Sequence, residues 1–247
     1  MTALLSDLLT ACGLLTRLPV ARPGDLAACV WAFPIVGGAV NGLGGLTYWL
    51  VHWFGMPPLL AAVWALTVTM LATGALHDDG LADTADGFGG GASPERKLEI
   101  MRDSRIGCYG ALALLLSVLM RVAAISALGE PSRVMVAFCL AGMLGRGGIL
   151  VLLLMLSPAR DDGLGVAMGE TRTGRATIGL ALVVVACLLA AGVKPAIAIV
   201  AIGFGASLAM ARLAHRQIGG YTGDVLGAGE VVTECVVLSI AACGLGI

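Results

Sequence analysis

Charged side chains are scarce in this chain of 247 residues. They make up 13% of the sequence, whereas 58% of the residues are hydrophobic and the mean hydropathy is +0.95. Water-soluble domains carry about 25% charged residues, so this composition excludes a soluble globular protein. It is typical of a polytopic membrane protein, in which lipid replaces water around most side chains.

Other absences narrow the class further. The formal net charge is −1 and there is no basic run, so nothing indicates a nucleic-acid partner. The seven cysteines are scattered without CxxC or ligand-like spacing, and are expected to be small buried apolar residues rather than disulfides or zinc ligands. The N-terminus lacks the features of a cleaved secretory signal, so the first segment is expected to remain part of the mature protein.

Long apolar stretches predict an all-α, polytopic integral membrane protein with about seven transmembrane helices, in a range of six to eight. Each stretch approaches the roughly 20 residues that span lipid. They lie at residues 27–51, 59–76, 108–128, 134–156, 176–193, 195–214 and 229–247. No internal repeat is evident and no soluble domain fits between the stretches. Residues 1–247 are therefore expected to form a single membrane-embedded domain.

Basic residues alternate between the connections of these spans. Eleven fall on the side of the N-terminus and two on the other, which places the N-terminus and residues 77–107 in the cytoplasm by the positive-inside rule. The eleven are Arg17, Arg22, Arg96, Lys97, Arg102, Arg105, Arg160, Arg172, Arg175, Arg212 and Arg216, and the two are Arg133 and Lys194. Residues 1–19 carry a leucine pattern that predicts a helix lying along the membrane surface, with a packed cytosolic helix as the alternative.

The segment "ALHDDGLADTADGFGGG", residues 75–91, concentrates acid in this apolar chain. Asp79, Asp83 and Asp86 are spaced i, i+4, i+7 and would share one face of a helix. Gly80 and Gly87 would share an adjoining face, where another backbone or a bulky ligand can come close.

Three aspartates on one face cannot lie at the centre of a bilayer, where each costs about 2.5–3.5 kcal/mol. We expect them at the cytoplasmic end of the second span or in a wet cavity. Their mutual repulsion requires a cation, and their hard oxygen ligands suit Mg²⁺, Mn²⁺ or Ca²⁺ bridging to phosphate. The alternative is a solvated, glycine-rich loop, which would not explain the spacing.

Further polar residues accompany this stretch. Ser93 and Pro94 predict the start of a short cytoplasmic helix. Arg102 and Arg105, beside Asp103, could grip phosphate, although the positive-inside rule alone would place cations there. Asp224, Glu230 and Glu234 form a second acidic patch at the start of the last span, with ordinary interfacial carboxylates as the alternative.

Three residues near or within the spans raise separate expectations. Arg146 lies deep in the fourth span and should have a carboxylate or phosphate partner. Arg121 lies nearer the far interface, where snorkelling would explain it. His77 could act as a base or a ligand, although a lone histidine at a helix end is more often structural.

Together these features indicate metal-dependent phosphoryl-group transfer by direct displacement. A divalent ion and arginines would hold phosphate oxygens, while a carboxylate or histidine helps to deprotonate an attacking hydroxyl. No serine or cysteine stands in an evident nucleophile arrangement.

The runs "HDDGLADTADGFGGG" (77–91) and "RKLEIMRDSRIGCYG" (96–110) resemble the signature of the cobalamin synthase family, the adenosylcobinamide-GDP ribazoletransferases. The segments "LLTRLPV" (14–20), "FPIVGG" (33–38) and "YTGDVLGAGEVVTE" (221–234) match family features in the same order, so the resemblance covers nearly the whole chain.

The resemblance implies a reaction in the inner membrane of a bacterium. The ribose hydroxyl of α-ribazole, or of its 5′-phosphate, attacks the cobinamide-linked phosphate of adenosylcobinamide-GDP. GMP leaves and the nucleotide loop of adenosylcobalamin closes. The family requires a divalent ion, usually Mg²⁺. No role is implied for Asp78.

Residue roles remain hypotheses at this point. Metal ligands are expected at Asp79, Asp83, Asp86 and Asp103; phosphate binding at Arg102, Arg105 and Arg146; and catalytic roles at His77, Asp86, Asp224, Glu230 and Glu234. The glycine-rich spans are compatible with a homo-oligomer.

Two other functions stay open. CDP-alcohol phosphotransferases also place spaced aspartates and glycines at the cytoplasmic ends of membrane helices, but usually as D-G-x-x-A-R, and the arginine is missing here. A cation transporter would place its acids near the bilayer midplane, often in both halves of a repeat. The acids here gather near one interface.

Overall fold

The computed structural model describes residues 3–20, 24–163, 168 and 173–244, and helices dominate this part of the chain. No β-strand occurs in it; one isolated bridge joins Pro158 to Tyr221. Arg22 and Arg172, which contribute to the topology prediction, lie outside the described residues. The predicted all-α class is confirmed.

The helices follow one another with short connections. Helix α2 continues through a 3₁₀ turn, Val30–Ala32, directly into α3. The bounds are α1 Ala3–Leu15, α2 Leu26–Cys29, α3 Phe33–Trp53, α4 Pro58–Thr73, α5 Leu76–Gly90, α6 Pro94–Ile100, α7 Cys108–Leu128, α8 Pro131–Met155, α9 Thr173–Ala191, α10 Val193–Ile218 and α11 Gly223–Ala242.

Six segments are long and apolar enough to cross a membrane on their own: Leu26–Trp53, α7, α8, α9, α10 and α11. A seventh arises if α4 and α5 count as one span, although their axes are bent by 89°. The prediction of about seven membrane helices is confirmed. The last span begins at Gly223 rather than at residue 229, so the second acidic patch lies within the helix.

The acidic stretch forms helix α5, as its spacing predicts, and not a solvated loop. Its N-terminus follows a break at Gly74 and Ala75, which both have left-handed backbone conformations. The helix then packs against α7 and α11. The region 77–107 is therefore built around a partly buried helix. The predicted short helix follows as α6, with Ser93 accepting a hydrogen bond from the backbone N–H of Arg96 at 3.3 Å.

Helices α3, α8 and α11 form the centre of the bundle. Glycines allow α3 and α8 to approach closely: a Cβ at Gly142 would lie 2.6 Å from the side chain of Asn41. Such contacts between small residues are a common basis for helix packing in membranes. Helices α7, α9 and α10 leave many large apolar side chains exposed, as lipid-facing helices do.

Helix α1 packs on the bundle through Thr10, Ala11 and Leu15, while Leu4 and Leu5 remain exposed. Its Asp7 accepts a hydrogen bond from the indole N–H of Trp31 at 3.1 Å and pairs with Arg175 at 3.4 Å. The predicted N-terminal helix is present.

The connections predicted to be cytoplasmic gather at one end of the bundle. Lys97 in α6 bonds to Gln217 at the end of α10. Arg102 after α6 pairs with Asp162 after α8 at 2.8 Å. We call this the basic end.

Candidate active site

Helices α5 and α11 are in close contact at the basic end because both carry glycine there. A Cβ at Gly80 would lie 2.7 Å from the carbonyl oxygen of Asp224, and a Cβ at Gly227 would lie 3.2 Å from His77. The predicted close approach at Gly80 is thus an approach of another backbone. It brings the first turn of α5 beside the first turn of α11.

A cavity of about 270 Å³ lies beside this contact. Apolar residues of α1, α3 and α8 form part of its wall, and the loop after α8 forms another. Its lining residues are Leu14, Leu15, Phe33, Leu76, His77, Asp79, Gly80, Ile149, Pro158, Arg160, Asp162, Gly163, Met168, Tyr221, Thr222, Gly223, Asp224, Leu226 and Gly227.

The rim of this cavity is acidic. Asp79 is exposed and Asp83, one turn further along α5, is half-buried. Asp224 lies across from them on α11, close enough to Asp83 to repel its carboxylate, as Asp79 does. Neither the carboxylate of Asp79 nor that of Asp83 accepts a hydrogen bond from another described residue.

Arg160 is the one arginine among the residues that line this cavity in the described part of the chain. Its Nη2 donates to the carboxylate of Asp224 at 3.0 Å. The loop that carries it is fixed to the start of α11 by two backbone hydrogen bonds, Tyr221 N–H to Ser157 O at 3.0 Å and Ala159 N–H to Tyr221 O at 2.8 Å. Its Nε is buried and has no hydrogen-bond partner among the described residues.

Asp86, on the same face of α5, has a different position. Its two carboxylate oxygens accept hydrogen bonds from the backbone N–H groups of Gly107 at 2.6 Å and Gly110 at 2.9 Å. It therefore caps the N-terminus of α7. A metal ion could use this carboxylate only by displacing those two contacts.

Three other predicted residues lie on the surface around α6, outside the lining of the cavity. Arg102 forms a two-bond pair with Asp162, both bonds 2.8 Å. Arg105 pairs with Asp103 at 2.7 Å. Hydrogen bonds from the Arg105 side chain and backbone lower the pKa of Asp103 to about 2.

Deeper in the bundle, charged residues form a separate buried network. Arg146 of α8 pairs with Glu230 of α11, and their side chains are 4% and 2% exposed. The expectation that Arg146 has a carboxylate partner is confirmed. Glu234 accepts a hydrogen bond from Asn41 at 2.9 Å.

Arg121 belongs to this network, so the expectation that it snorkels to the far interface is wrong. It is 3% exposed, pairs with Asp78 and lies 3.9 Å from Glu234. Distance along the helix suggested an interfacial position, but the turn of α5 into the bundle brings a carboxylate to it. Asp78, to which the sequence assigned no role, is its partner.

The structure therefore separates the predicted residues into three groups. His77, Asp79 and Asp224 line the cavity, with Asp83 beside them. Glu230, Glu234 and Arg146 lie in the buried network together with Asp78 and Arg121. Asp86, Asp103, Arg102 and Arg105 lie elsewhere at the basic end. Sequence analysis did not identify Arg160 as a site residue. In the sequence it is one of several basic residues in the connections predicted to be cytoplasmic, and nothing else distinguishes it.

No three histidine, cysteine, aspartate or glutamate side chains stand close enough to hold a metal ion as they are placed in the described residues. The nearest fit to a hard cation is the group Asp79, Asp83 and Asp224, which supplies carboxylate oxygens from two helices. Two of the three carboxylates have no competing hydrogen-bond donor among the described residues.

Fold and site define a multi-pass helical membrane protein with an acidic cavity, lined in part by Arg160, at one end of the bundle. Residues 7–242 match the family model described as cobalamin-5-phosphate synthase. The chain belongs to this family, and it is a transferase of cobalamin synthesis.

Several relatives carry the name adenosylcobinamide-GDP ribazoletransferase. The one from Bradyrhizobium diazoefficiens is 45% identical over 243 residues, covering 96% of this chain and 94% of the relative. Those from Azorhizobium caulinodans and Mesorhizobium japonicum are each 41% identical, covering 95% and 98% of this chain and 94% and 95% of the relatives. No solved structure matches the chain.

Proposed function

We propose that this enzyme joins adenosylcobinamide-GDP to α-ribazole, or to α-ribazole 5′-phosphate, with release of GMP. The product is adenosylcobalamin or its 5′-phosphate. The names of the relatives support these substrates. The observation that carries the proposal is the cavity at the basic end, where carboxylates from two helices, a histidine and an arginine meet.

The size of the cavity limits what can enter it. Sites for drug-sized ligands measure about 300–1,000 Å³, and this one is about 270 Å³. A whole corrinoid exceeds that volume, so the reacting phosphate and part of the ribazole would occupy the cavity. The corrin ring would remain at its mouth, near the exposed Asp79, Asp162 and Gly163.

Arg160 would bind phosphate in this arrangement. A guanidinium presents several donors in a planar fork that matches phosphate oxygens. One of its donors is engaged by Asp224, while its buried Nε has no partner among the described residues. Arg102, Arg105 and Arg146 do not line the cavity and each is paired with a carboxylate, so we no longer assign phosphate binding to them.

Mg²⁺ would be held by Asp79, Asp83 and Asp224. When bound, it would supply positive charge that offsets the negative charge of the phosphates and of the leaving GMP. Asp224 is oriented for this position by the hydroxyl of Thr222 at 3.2 Å and by Arg160.

His77 is the best-placed base. It lines the cavity, and its buried Nε2 has no hydrogen-bond partner among the described residues. In the proposed reaction Nε2 accepts the proton of the attacking ribose hydroxyl. Glu230 and Glu234 do not line the cavity and are engaged by Arg146 and Asn41, so they would act only through other residues.

The test is an assay in detergent or liposomes. Adenosylcobinamide-GDP and α-ribazole phosphate are supplied with and without Mg²⁺, and both GMP and the corrinoid product are followed. Mg²⁺-dependent formation of both products supports the proposal. No corrinoid product from folded enzyme, together with release of CMP when a CDP-linked donor and a lipid acceptor are supplied instead, would refute it and favour a CDP-alcohol phosphotransferase.

Two variants, Asp83→Asn and Arg160→Gln, test the proposed roles in metal binding and phosphate binding. Asp83→Asn should lower turnover at least 100-fold and raise the Mg²⁺ concentration needed for half-activity, since it removes one of three charges from the rim. Glu99→Gln, in the exposed Arg96–Glu99 pair of α6, is the matched control and should match the wild type. Full activity and unchanged Mg²⁺ dependence in folded Asp83→Asn would contradict the metal assignment.

Arg160→Gln should raise the KM for adenosylcobinamide-GDP about 10- to 100-fold, the loss expected of a charge-assisted contact to phosphate. Arg105→Gln provides the control, because Arg105 is paired with Asp103 at the surface and neither residue lines the cavity. Equal effects of the two variants would exclude a specific role for Arg160.

The basic end should face the cytoplasm, because the connections with most of the basic residues meet there. Cys243, which is exposed just beyond the end of α11, would then lie on the far side of the membrane, and Cys108 at the start of α7 on the cytoplasmic side. An impermeant maleimide should label Cys243 in spheroplasts before lysis and Cys108 only afterwards. The reverse order would invert the topology.

A further inference from the structure

The backbone is strained at the point where α4 breaks into α5. Gly74 has φ 64° and Ala75 has φ 56°. Among the described residues, Ala75 is the one non-glycine residue with positive φ. An L-amino acid disfavours the left-handed region, and such a conformation persists only where the surrounding structure holds it.

The residues directly after this break carry the chemistry. The first backbone hydrogen bond of α5 runs from the N–H of Asp79 to the carbonyl of Ala75 at 2.9 Å. His77 and Asp79, within this single turn, both line the cavity. Their positions therefore depend on the conformation of Ala75.

The side chain of Asp78, between these two residues in the sequence, points in another direction and is held by a side chain of α7. Its carboxylate accepts a hydrogen bond from Arg121 of α7, and both side chains are buried. Arg121 is fixed in turn, because its Nε donates to the carbonyl of Ser117 at 3.2 Å and its guanidinium lies 3.9 Å from Glu234. The pair thus ties the first turn of α5 to two other helices.

We propose that Asp78 and Arg121 are positioning residues: their ion pair clamps the strained Gly74–Ala75 break and so keeps His77 and Asp79 at the cavity. The catalytic consequence rests on the proposed function. The structural claim rests only on the break and the ion pair.

Net stabilisation alone does not explain this pair. Charges inside a membrane are costly, and a well-packed apolar pair of similar volume often stabilises a protein at least as well. What an apolar pair lacks is direction. A charged hydrogen bond from a fixed donor specifies where the turn containing Asp78 must lie.

The test combines removal of the clamp with relief of the strain. The double variant Asp78→Asn/Arg121→Gln removes one charge of each sign and leaves polar groups of similar size. Glycine adopts the left-handed region freely, so Ala75→Gly should remove the need for the clamp. Arg121→Lys, which keeps the charge but loses the planar fork, serves if the double variant does not fold.

A matched control removes another buried polar contact of α11. The hydroxyls of Ser207 and Thr233 lie 3.0 Å apart between α10 and α11, and each also hydrogen-bonds to a backbone carbonyl of its own helix. Ser207→Ala/Thr233→Val should therefore change the melting temperature without changing the first turn of α5. Hydrogen exchange of a peptide covering residues 75–80 reports that turn independently of activity.

In the clamp variant we expect exchange at the first turn of α5 to rise about tenfold and turnover to fall about tenfold. Adding Ala75→Gly should reverse most of the rise in exchange and most of the loss of turnover. Tenfold corresponds to about 1.4 kcal/mol, which is the size of the left-handed penalty of an L-residue. The control should show neither change.

Unchanged exchange in the clamp variant would overturn the proposal, as would a loss that Ala75→Gly does not relieve. A fall in melting temperature with normal exchange and turnover would reduce the pair to an ordinary structural contact and would equally refute it. If the wild type makes no corrinoid product while the exchange pattern holds, the clamp is supported and the proposed function fails.

Discussion

Replacing Glu230 by glutamine tests whether the buried network is held together by charge. The side chains of Glu230 and Arg146 are 2% and 4% exposed. The variant keeps the shape of the side chain but leaves Arg146 without its nearest anion. Removing one partner of a buried ion pair costs about 3–5 kcal/mol. Since glutamine can still accept a hydrogen bond, we expect the lower end, about 3 kcal/mol.

This loss should be visible as a lower melting temperature. For chains of about 150–250 residues, 1 kcal/mol shifts the melting temperature by about 2–4 °C, so Glu230→Gln should lower it by about 6–12 °C. The double variant Arg146→Met/Glu230→Leu removes both charges and should lie within a few degrees of the wild type. Glu99→Gln, which breaks an exposed pair, should cost less than about 1 kcal/mol.

A thiol-reactive fluorogenic dye offers a suitable assay in detergent. Cys29, Cys187 and Cys235 are buried and become reactive only on unfolding, while the exposed Cys108 and Cys243 give a constant baseline. A melting temperature of Glu230→Gln within about 2 °C of Glu99→Gln would refute the reasoning. So would a double variant less stable than the single one.

Two further predictions concern α5. Asp86→Asn should keep most of the turnover, because the amide oxygen of asparagine still accepts one of the two cap hydrogen bonds, whereas Asp86→Ala loses both and should cost about 1 kcal/mol in thermal unfolding. Loss of Mg²⁺-dependent turnover in folded Asp86→Asn would instead favour the predicted role as a metal ligand. Gly80→Ala should lower turnover, because its Cβ would lie 2.7 Å from the Asp224 carbonyl oxygen and overpacking costs about 1–3 kcal/mol. Gly205→Ala, with nothing within 4 Å of its Cβ, is the control, and equal turnover of the two variants would contradict the close packing of α5 and α11.

The helical content and the number of spans could be predicted because both depend on local properties. Apolar length gives the spans, and the spacing of Asp79, Asp83 and Asp86 gives the helix. The bend before α5 could not be predicted, because a left-handed alanine violates local preference and is imposed by tertiary contacts. The error about the depth of Arg121 follows from this bend.

Arg121 illustrates that dependence. Its place along α7 is compatible with snorkelling, and only the turn of α5 shows that a carboxylate reaches it. Arg160 illustrates the opposite case. Its loop looks like any basic connection, and its role becomes visible only when two backbone hydrogen bonds fix that loop beside Asp224.

Depth also explains why the acids of this chain divide into two sets. Below the cavity, three carboxylates (Asp78, Glu230 and Glu234) share the bundle interior with two arginines, because an unpaired charge there would be too costly. At the rim, Asp79 and Asp83 remain without a donor from other described residues, since solvent can reach them. A carboxylate that is enclosed in the bundle interior and paired with a buried guanidinium is a poor ligand for a cation. A carboxylate at the wet rim can still bind a cation, and this includes Asp224, because Asp224 and its partner Arg160 are both partly exposed. Whether a carboxylate is proposed to position other residues, as Asp78 is, or to bind a cation, as Asp79 and Asp83 are, therefore follows from its depth in the bundle. It does not follow from its place in a sequence motif.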